Sequence, residues 1–331
     1  TNKSNKIKVG YFGAEFYHHP VLLNAKDIFI NHNKSKFEIY GFSHGPVKDH
    51  LHFDIQKNFD GFYDICNMTT EKVLELCDEI GIDIAINLTG YTANSRNDIY
   101  INRVAPVQIS FLGFSSTMSA EFIDYIIADK FLIPKDHFTN YSEKVIHLPN
   151  SFYPTPAVMK ISNKVFTKKS LNLPEDNFIF GSFNNNYKIT PNIFKAWMEI
   201  LSKTEKSVIW LLSTNKTAKK NLKRETEASG INPDRLIFAE KLENSEHLKR
   251  FCLMDLFLDT FPYNAHSTAL EAIRCGVPIL TISGKSFVSR VAGSLLSATN
   301  NENLICEDYS EYIDKAIFYR KNKKEFLKLK N

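Results

Sequence analysis

Leu256-Phe-Leu-Asp-Thr-Phe-Pro-Tyr-Asn-Ala-His-Ser-Thr-Ala-Leu-Glu-Ala-Ile-Arg-Cys-Gly-Val-Pro-Ile-Leu-Thr-Ile282 reads as one strand–helix–strand unit. Leu256–Asp259 and Pro278–Ile282 are apolar runs of strand length, and Ser267–Cys275 between them has helical spacing. The same alternation extends in both directions. Upstream in the second half, Phe178–Phe183, Ser207–Leu212 and Arg235–Ala239 read as strands. Thr190–Lys203, Ala218–Ser229, Ser245–Met254 and Ser286–Ala298 read as helices. In the first half, Ile7–Phe12, Phe37–Phe42, Ile82–Leu88, Val107–Leu112, Tyr125–Ala128 and Val145–Leu148 are strands, with Thr70–Ile80 a helix. Strands alternating with helices predict mostly parallel sheets covered on both faces, an α/β class.

A chain of 331 residues exceeds what one core usually organises. Pro149, Pro154 and Pro156 crowd together ahead of a Lys/Ser/Asn-rich stretch, so the break falls within 149–172. The expectation is two Rossmann-like doubly wound domains facing a cleft, over residues 1–155 and 165–331. No repeat of 20–50 residues appears in the chain itself.

Composition narrows the partners. The net charge of +4 resides in the last eleven residues, where Lys321, Lys323, Lys324, Lys328 and Lys330 face Glu325 alone. A solvated helix end explains that cluster better than a polyanion site, so nucleic acid is not expected as a partner. Five widely spaced cysteines without a C-x-x-C pair argue against disulfides and a cysteine zinc site, and favour a reducing, cytoplasmic setting. No run approaches a membrane span, and the polar start Thr1–Lys8 has no signal-peptide core. The missing initiator Met and the uncapped basic end suggest a piece of something longer.

In doubly wound sheets ligands sit beyond the carboxyl ends of the strands, and the polar clusters fall there. His18-His19-Pro20, Gly90-Tyr91-Thr92, Lys188 and His266-Ser267-Thr268 each follow a strand. A helix starting near Ser267 would offer N–H donors to a diphosphate, although Thr268-x-x-Glu271 also reads as a capping box. Lys188 could reach a phosphate leaving group or be a solvated charge, and Thr190-Pro191 marks a helix start after it. His19 could serve as a base or bind sugar, or be structural. His247 and Arg250, three apart on one helix face, could contact a base or diphosphate, or form a solvated stripe. There is no G-x-G-x-x-G after the first strand, no P-loop, no H-E-x-x-H and no D-x-D. Dinucleotide and P-loop chemistry therefore lack their phosphate loops. From these clusters alone, the reading stops at a phosphorylated ligand.

Taken together the segments resemble the O-GlcNAc transferase family, in the catalytic region of its bacterial type. Gly10-Tyr-Phe-Gly-Ala-Glu-Phe-Tyr-His-His-Pro-Val21 is similar to the family's G-Y-x-S-x-D-F-x-x-H-P-V entry segment. Gly81–Thr92 with Arg96, Ala105–Gln108, Leu112-Gly113, Tyr141–Lys144, Asn184–Ile189, Glu246-His247, Asp259–Thr268 and Ser289–Ala292 continue the likeness. The resemblance implies the GT-B fold and an inverting, metal-independent transfer of GlcNAc from UDP-GlcNAc to Ser or Thr of a polypeptide acceptor. No cofactor is then expected beyond the UDP-sugar donor, and tetratricopeptide repeats outside these residues are an expected partner. It implies that Lys188 neutralises the departing diphosphate and that Ser267 and Thr268 hold the phosphates. Asn185, Leu242, His247, Arg250 and His266 would line the nucleotide pocket, with Glu271 at the ribose. His19 and Tyr91 would face sugar and acceptor. Glu15, Asn185, Asn244 and Glu271 depart from the family pattern. A same-fold transferase using UDP-glucose or GDP-fucose, a non-catalytic sugar-nucleotide-binding module and a hydrolytic epimerase remain open at this point.

Overall fold

The computed structural model describes residues 6–213 and 215–330. The first five residues of the polar N-terminal stretch, and Asn331 of the lysine-rich tail, lie outside them. The chain divides into two compact units, Thr1–Val158 and Met159–Asn331.

The first unit runs β1 (Ile7–Gly13), α1 (Pro20–Ile30), β2 (Phe37–Ser43), α2 (His50–Gln56), β3 (Gly61–Asp64), α3 (Thr70–Ile80), β4 (Ile84–Asn87), α4 (Asn97–Ile101), β5 (Val107–Ser110), β6 (Tyr125–Asp129) and β7 (Lys144–Leu148). Its sheet has the order β3-β2-β1-β4-β5-β6-β7, with every pair parallel. The order reverses between β1 and β4, where Gly10 lies opposite Ala85. One side of the sheet packs Phe12, Phe42, Val73, Ile82, Ala85 and Tyr100 into a continuous core. Phe12 and Phe42 stack at 4.3 Å across adjacent strands. Val9 and Tyr11, which point to the other face of β1, are buried as well, and burial on both faces is why the strands read as apolar runs rather than alternations.

The second unit runs β8 (Phe178–Ser182), α5 (Pro191–Lys203), β9 (Ser207–Leu212), α6 (Lys216–Ala228), β10 (Leu236–Ala239), α7 (Asn244–Arg250), β11 (Leu256–Leu258), α8 (Ser267–Arg274), β12 (Ile279–Ile282), α9 (Val291–Ala298), β13 (Ile305–Cys306), α10 (Tyr309–Lys321) and α11 (Lys323–Lys330). The order β10-β9-β8-β11-β12-β13, again all parallel, repeats the Rossmann order 3-2-1-4-5-6 and reverses between β8 and β11.

Several boundaries differ from expectation. The single helix predicted over Ser286–Ala298 is a short 3-10 turn, Phe287–Ser289, followed by α9. Ser245–Met254 is α7 and then a 3-10 turn, Phe251–Leu253, so the helix tightens before β11. Thr190 caps α5 as expected, accepting Ile193 N–H at 3.4 Å with Pro191 at the first helical position. No helix among the described residues is long and apolar enough to cross a membrane.

Candidate active site

The loop between β11 and α8 is organised by one carboxylate. Asp259 is 1% exposed, and its Oδ1 accepts the N–H groups of Thr260 and Ala265, both at 2.7 Å, and Asn184 Nδ2 at 3.2 Å. Its Oδ2 accepts from Thr281 Oγ1 at 2.7 Å. Burial pushes this carboxyl up to about 6, against the pull of those bonds and of Lys188. Asn264, fully buried, donates Nδ2 to the carbonyls of Thr260 (3.0 Å) and Ile282 (3.3 Å), and its backbone N–H to Val288 at 3.0 Å. The turn is thus closed on itself and pinned to β12 and to the 3-10 turn Phe287–Ser289.

Lys188 arrives from the neighbouring strand, at the end of a 3-10 turn, Asn186–Lys188, after β8. Its ammonium donates to the Asn264 carbonyl at 2.8 Å and lies 3.9 Å from the centre of the Tyr263 ring. Burial draws its pKa down to about 8, while Asp259 acts to raise it. It is therefore not the solvated surface charge that a loop lysine usually is.

His266 is the N-cap of α8, with no side-chain hydrogen bond to the helix. Thr268 consequently stands inside the first turn, and no capping box forms between it and Glu271. An uncapped helix start directs backbone N–H groups and the positive end of the helix dipole outward. Burial first, and then the Lys188 charge, pull the His266 imidazole down to about 3, while a bond to the Val288 backbone acts the other way. Its Nε2 is buried without a partner, and so are Asn264 Oδ1, Asn184 Oδ1 and Ser182 Oγ. Buried polar atoms are normally paired, so these four are exceptions in residues near the strand-order reversal. Glu271, one turn into α8, is half-buried, and burial pushes its carboxyl up to about 7.

The remaining predicted residues of this unit have mixed placements. Arg250 is 1% exposed rather than part of a solvated stripe. It donates Nε to His247 Nδ1 at 3.0 Å and Nη1 to the Glu240 carbonyl at 2.6 Å, and lies 4.8 Å from the Phe183 ring. Its guanidinium therefore orients His247 and the turn after β10. Burial and the Arg250 charge lower His247 to about 3, so it stays neutral. Leu242 lies half-buried in that turn, and Asn185 is exposed at the mouth of the 3-10 turn that carries Lys188.

In the first unit the β1 and β4 ends hold a second polar cluster. Glu15, 8% exposed, accepts from Thr89 Oγ1 at 2.7 Å and Thr92 Oγ1 at 3.3 Å, and burial raises its pKa. Asn87 Oδ1 accepts the N–H groups of Thr89 (3.0 Å) and Gly90 (2.8 Å) and so shapes the turn. His19 is the N-cap of α1: its Nδ1 accepts Val21 N–H at 3.3 Å, and burial lowers its pKa. The Tyr91 hydroxyl is donated to the Met118 carbonyl at 2.9 Å, with half the side chain exposed. Sequence reasoning assigned no role to Asp259, Asn264, Tyr263 or Asn87. A polar residue at the carboxyl end of a buried strand, the last residue for Asn87 and the next one for Asp259, is the available signal. Among the described residues, no three His, Cys, Asp or Glu side chains group as a metal site would require.

Comparison with known proteins fits this arrangement. The model of glycosyl transferase family 41 matches residues 1–158 and 155–331. A probable UDP-N-acetylglucosamine–peptide N-acetylglucosaminyltransferase, SEC, of Arabidopsis thaliana is 32% identical over 326 residues, covering 96% of this chain and 33% of its own length. A UDP-N-acetylglucosamine–peptide N-acetylglucosaminyltransferase of Caenorhabditis elegans is 24% identical, over 94% of this chain and 37% of its own. The chain thus spans about a third of the length of the curated relatives it matches. An O-GlcNAc transferase of Thermobaculum terrenum superposes with a TM-score of 0.90 at 25% identity, covering 99% of this chain and 62% of that one. A glycosyltransferase from Rickettsia africae, at 11% identity and a TM-score of 0.56 over 98% of this chain and 99% of that one, shares the fold. The fold class is GT-B, with two Rossmann-like units. With both halves matched by one family model, the chain belongs to glycosyl transferase family 41.

Proposed function

We propose that this glycosyltransferase moves GlcNAc from UDP-GlcNAc to a Ser or Thr hydroxyl of a polypeptide, with inversion and without a metal. The names of its relatives support the donor and the acceptor class. The observation that carries the reading is the convergence of the Lys188 ammonium, the uncapped start of α8 and the unpartnered His266 Nε2 on one turn.

In the reaction the acceptor oxygen bonds to the anomeric carbon as the bond from that carbon to the phosphate oxygen breaks. The electron pair leaves on the diphosphate. Lys188 and the N–H groups of Ser267 and Thr268 meet that charge, in the role a bound cation takes elsewhere. Because His266 is neutral and its other nitrogen faces Val288, Nε2 carries a lone pair. It accordingly accepts from a donor hydroxyl rather than contacting a phosphate oxygen. Half-buried Glu271 is suited to the ribose hydroxyls, since a carboxyl group retains an acceptor oxygen whether or not it is protonated. His19, neutral and with Nδ1 engaged in the α1 cap, is our assignment for the acceptor proton.

Calorimetry with UDP and GDP on the native chain and on Lys188→Ala tests the reading. UDP preferred over GDP, with affinity falling about tenfold or more in the variant, supports it, because a part-buried charge-assisted contact is worth roughly 1.5–3 kcal/mol. Preference for GDP moves the donor to another sugar nucleotide. Binding of neither overturns the reading.

A further inference from the structure

The geometry points to Tyr263 as a positioning residue for Lys188, one that holds the ammonium in place before any ligand arrives. The inference rests on the proposed role of Lys188 only for its bearing on catalysis; the contact itself is independent of that role.

Two contacts place Lys188 Nζ: the Asn264 carbonyl at 2.8 Å and the Tyr263 ring at 3.9 Å. A flexible four-carbon stem with one acceptor at its tip would leave the ammonium free to pivot about that bond. The carbonyl cannot drift, because Asn264 is held through its side chain by Thr260 and Ile282 and through its N–H by Val288. The ring closes a second side of the ammonium and supplies the attraction of its π-face for a cation. Tyr263 is itself placed. Its carbonyl accepts Thr260 Oγ1 at 2.6 Å, and its ring meets His266 at 5.1 Å and Tyr187 edge-on at 6.1 Å. Tyr187, 68% exposed, lies on the solvent side of this pair. The groups facing Lys188 are therefore Asp259, which favours its charged form, neutral His266, and the two tyrosines.

An aromatic ring at this place does what a second carboxylate could not. A carboxylate beside Lys188 would neutralise the ammonium and repel a diphosphate, whereas a ring face holds the cation and leaves its charge available to an anion. Moving from this resting state to an anion requires only loss of the Asn264 contact.

Tyr263→Phe and Tyr263→Leu test the inference in the ligand-free chain, with far-ultraviolet circular dichroism and thermal midpoint as folding controls. Competitive labelling with acetic anhydride at pH 8, read by peptide mass spectrometry against exposed Lys195, measures how far Lys188 is held and protonated. Tyr263→Phe keeps the ring and should label Lys188 as the native chain does. Tyr263→Leu should raise Lys188 labelling about three- to tenfold, as expected when a cation–π contact in a part-desolvated site is lost. Equal labelling in all three proteins overturns the inference. UDP calorimetry on the same variants reads the consequence. If the native chain fails to bind UDP, the functional reading falls while the labelling result stands on its own. If it binds UDP and Tyr263→Leu binds equally well from pH 7 to 9, Tyr263 does not position Lys188 for the donor.

Discussion

Asp259 Oδ1 accepts the N–H of Ala265 at 2.7 Å, tying the end of the β11–α8 loop back to the residue that follows the strand. Six residues of chain are thereby closed into a turn whose carbonyl at Asn264 faces Lys188. The shape of the proposed donor site thus depends on a side chain that would itself touch no donor.

Removal of that carboxylate should be costly. Asp259→Ala strands two backbone N–H groups, Asn184 Nδ2 and the Thr281 hydroxyl in a dry interior. Urea unfolding should show a loss of about 3 kcal/mol or more. Asp259→Asn retains an acceptor for the N–H groups and should lose only about 1 kcal/mol. Equal losses in the two variants would show that the carboxylate's bonds are not what hold the turn.

Glu271 makes stability depend on pH. Its folded pKa is raised from the ordinary glutamate value of 4.5 to about 7, so the folded state holds a proton that the unfolded state has released. The sign follows: this contribution is most favourable below 4.5 and is lost as pH rises through 7. Glu271→Gln should flatten the fall of the thermal midpoint between pH 5 and pH 8. An unchanged slope would place the carboxyl in water rather than against the protein.

His19 has two separable parts. His19→Asn keeps an oxygen for Val21 N–H, whereas His19→Ala removes the cap and should cost about 1 kcal/mol. If His19 takes the acceptor proton, both variants lose transfer while only the alanine variant loses stability. Full activity in His19→Asn would remove His19 from the proton path.

Gly113 tolerates no side chain, because an added Cβ would stand 1.8 Å from the Leu88 carbonyl oxygen. Gly113→Ala should push apart β4 and β5 where they approach the Glu15 cluster, lowering the midpoint by several degrees, equivalent to about 2 kcal/mol or more. Gly81, with open space around its missing Cβ and φ +76°, should respond less and through backbone strain alone.

Most strands were legible because burial on both faces makes each a dense run of Val, Ile and Phe bounded by polar residues; Ser207–Leu212 matches to the residue. Thr70–Ile80 was equally plain, with Thr69 as cap and Gly81 closing it. The strand Gly61–Asp64 is not legible, since four residues with a leading glycine carry no period. Ile305–Cys306 is shorter still and is a strand only because Thr281 and Ile282 lie beside it. Pro20–Ile30 carries no clear signal either: its apolar residues surround most of the helix, so no stripe stands out.

By itself the sequence determined the alternation of strand and helix, the two-part division, the family likeness and the polar residues that follow strand ends, because these depend on local spacing. Tertiary structure alone decided that both sheets reverse at β1/β4 and β8/β11, since strand order is set by pairing between distant segments. It also decided the state of the charged groups. Lys188 and Arg250 were ambiguous as letters, and only packing against Tyr263, Asn264, Phe183 and Glu240 removed them from water. Desolvation depends on everything around a side chain, and no window of sequence contains that.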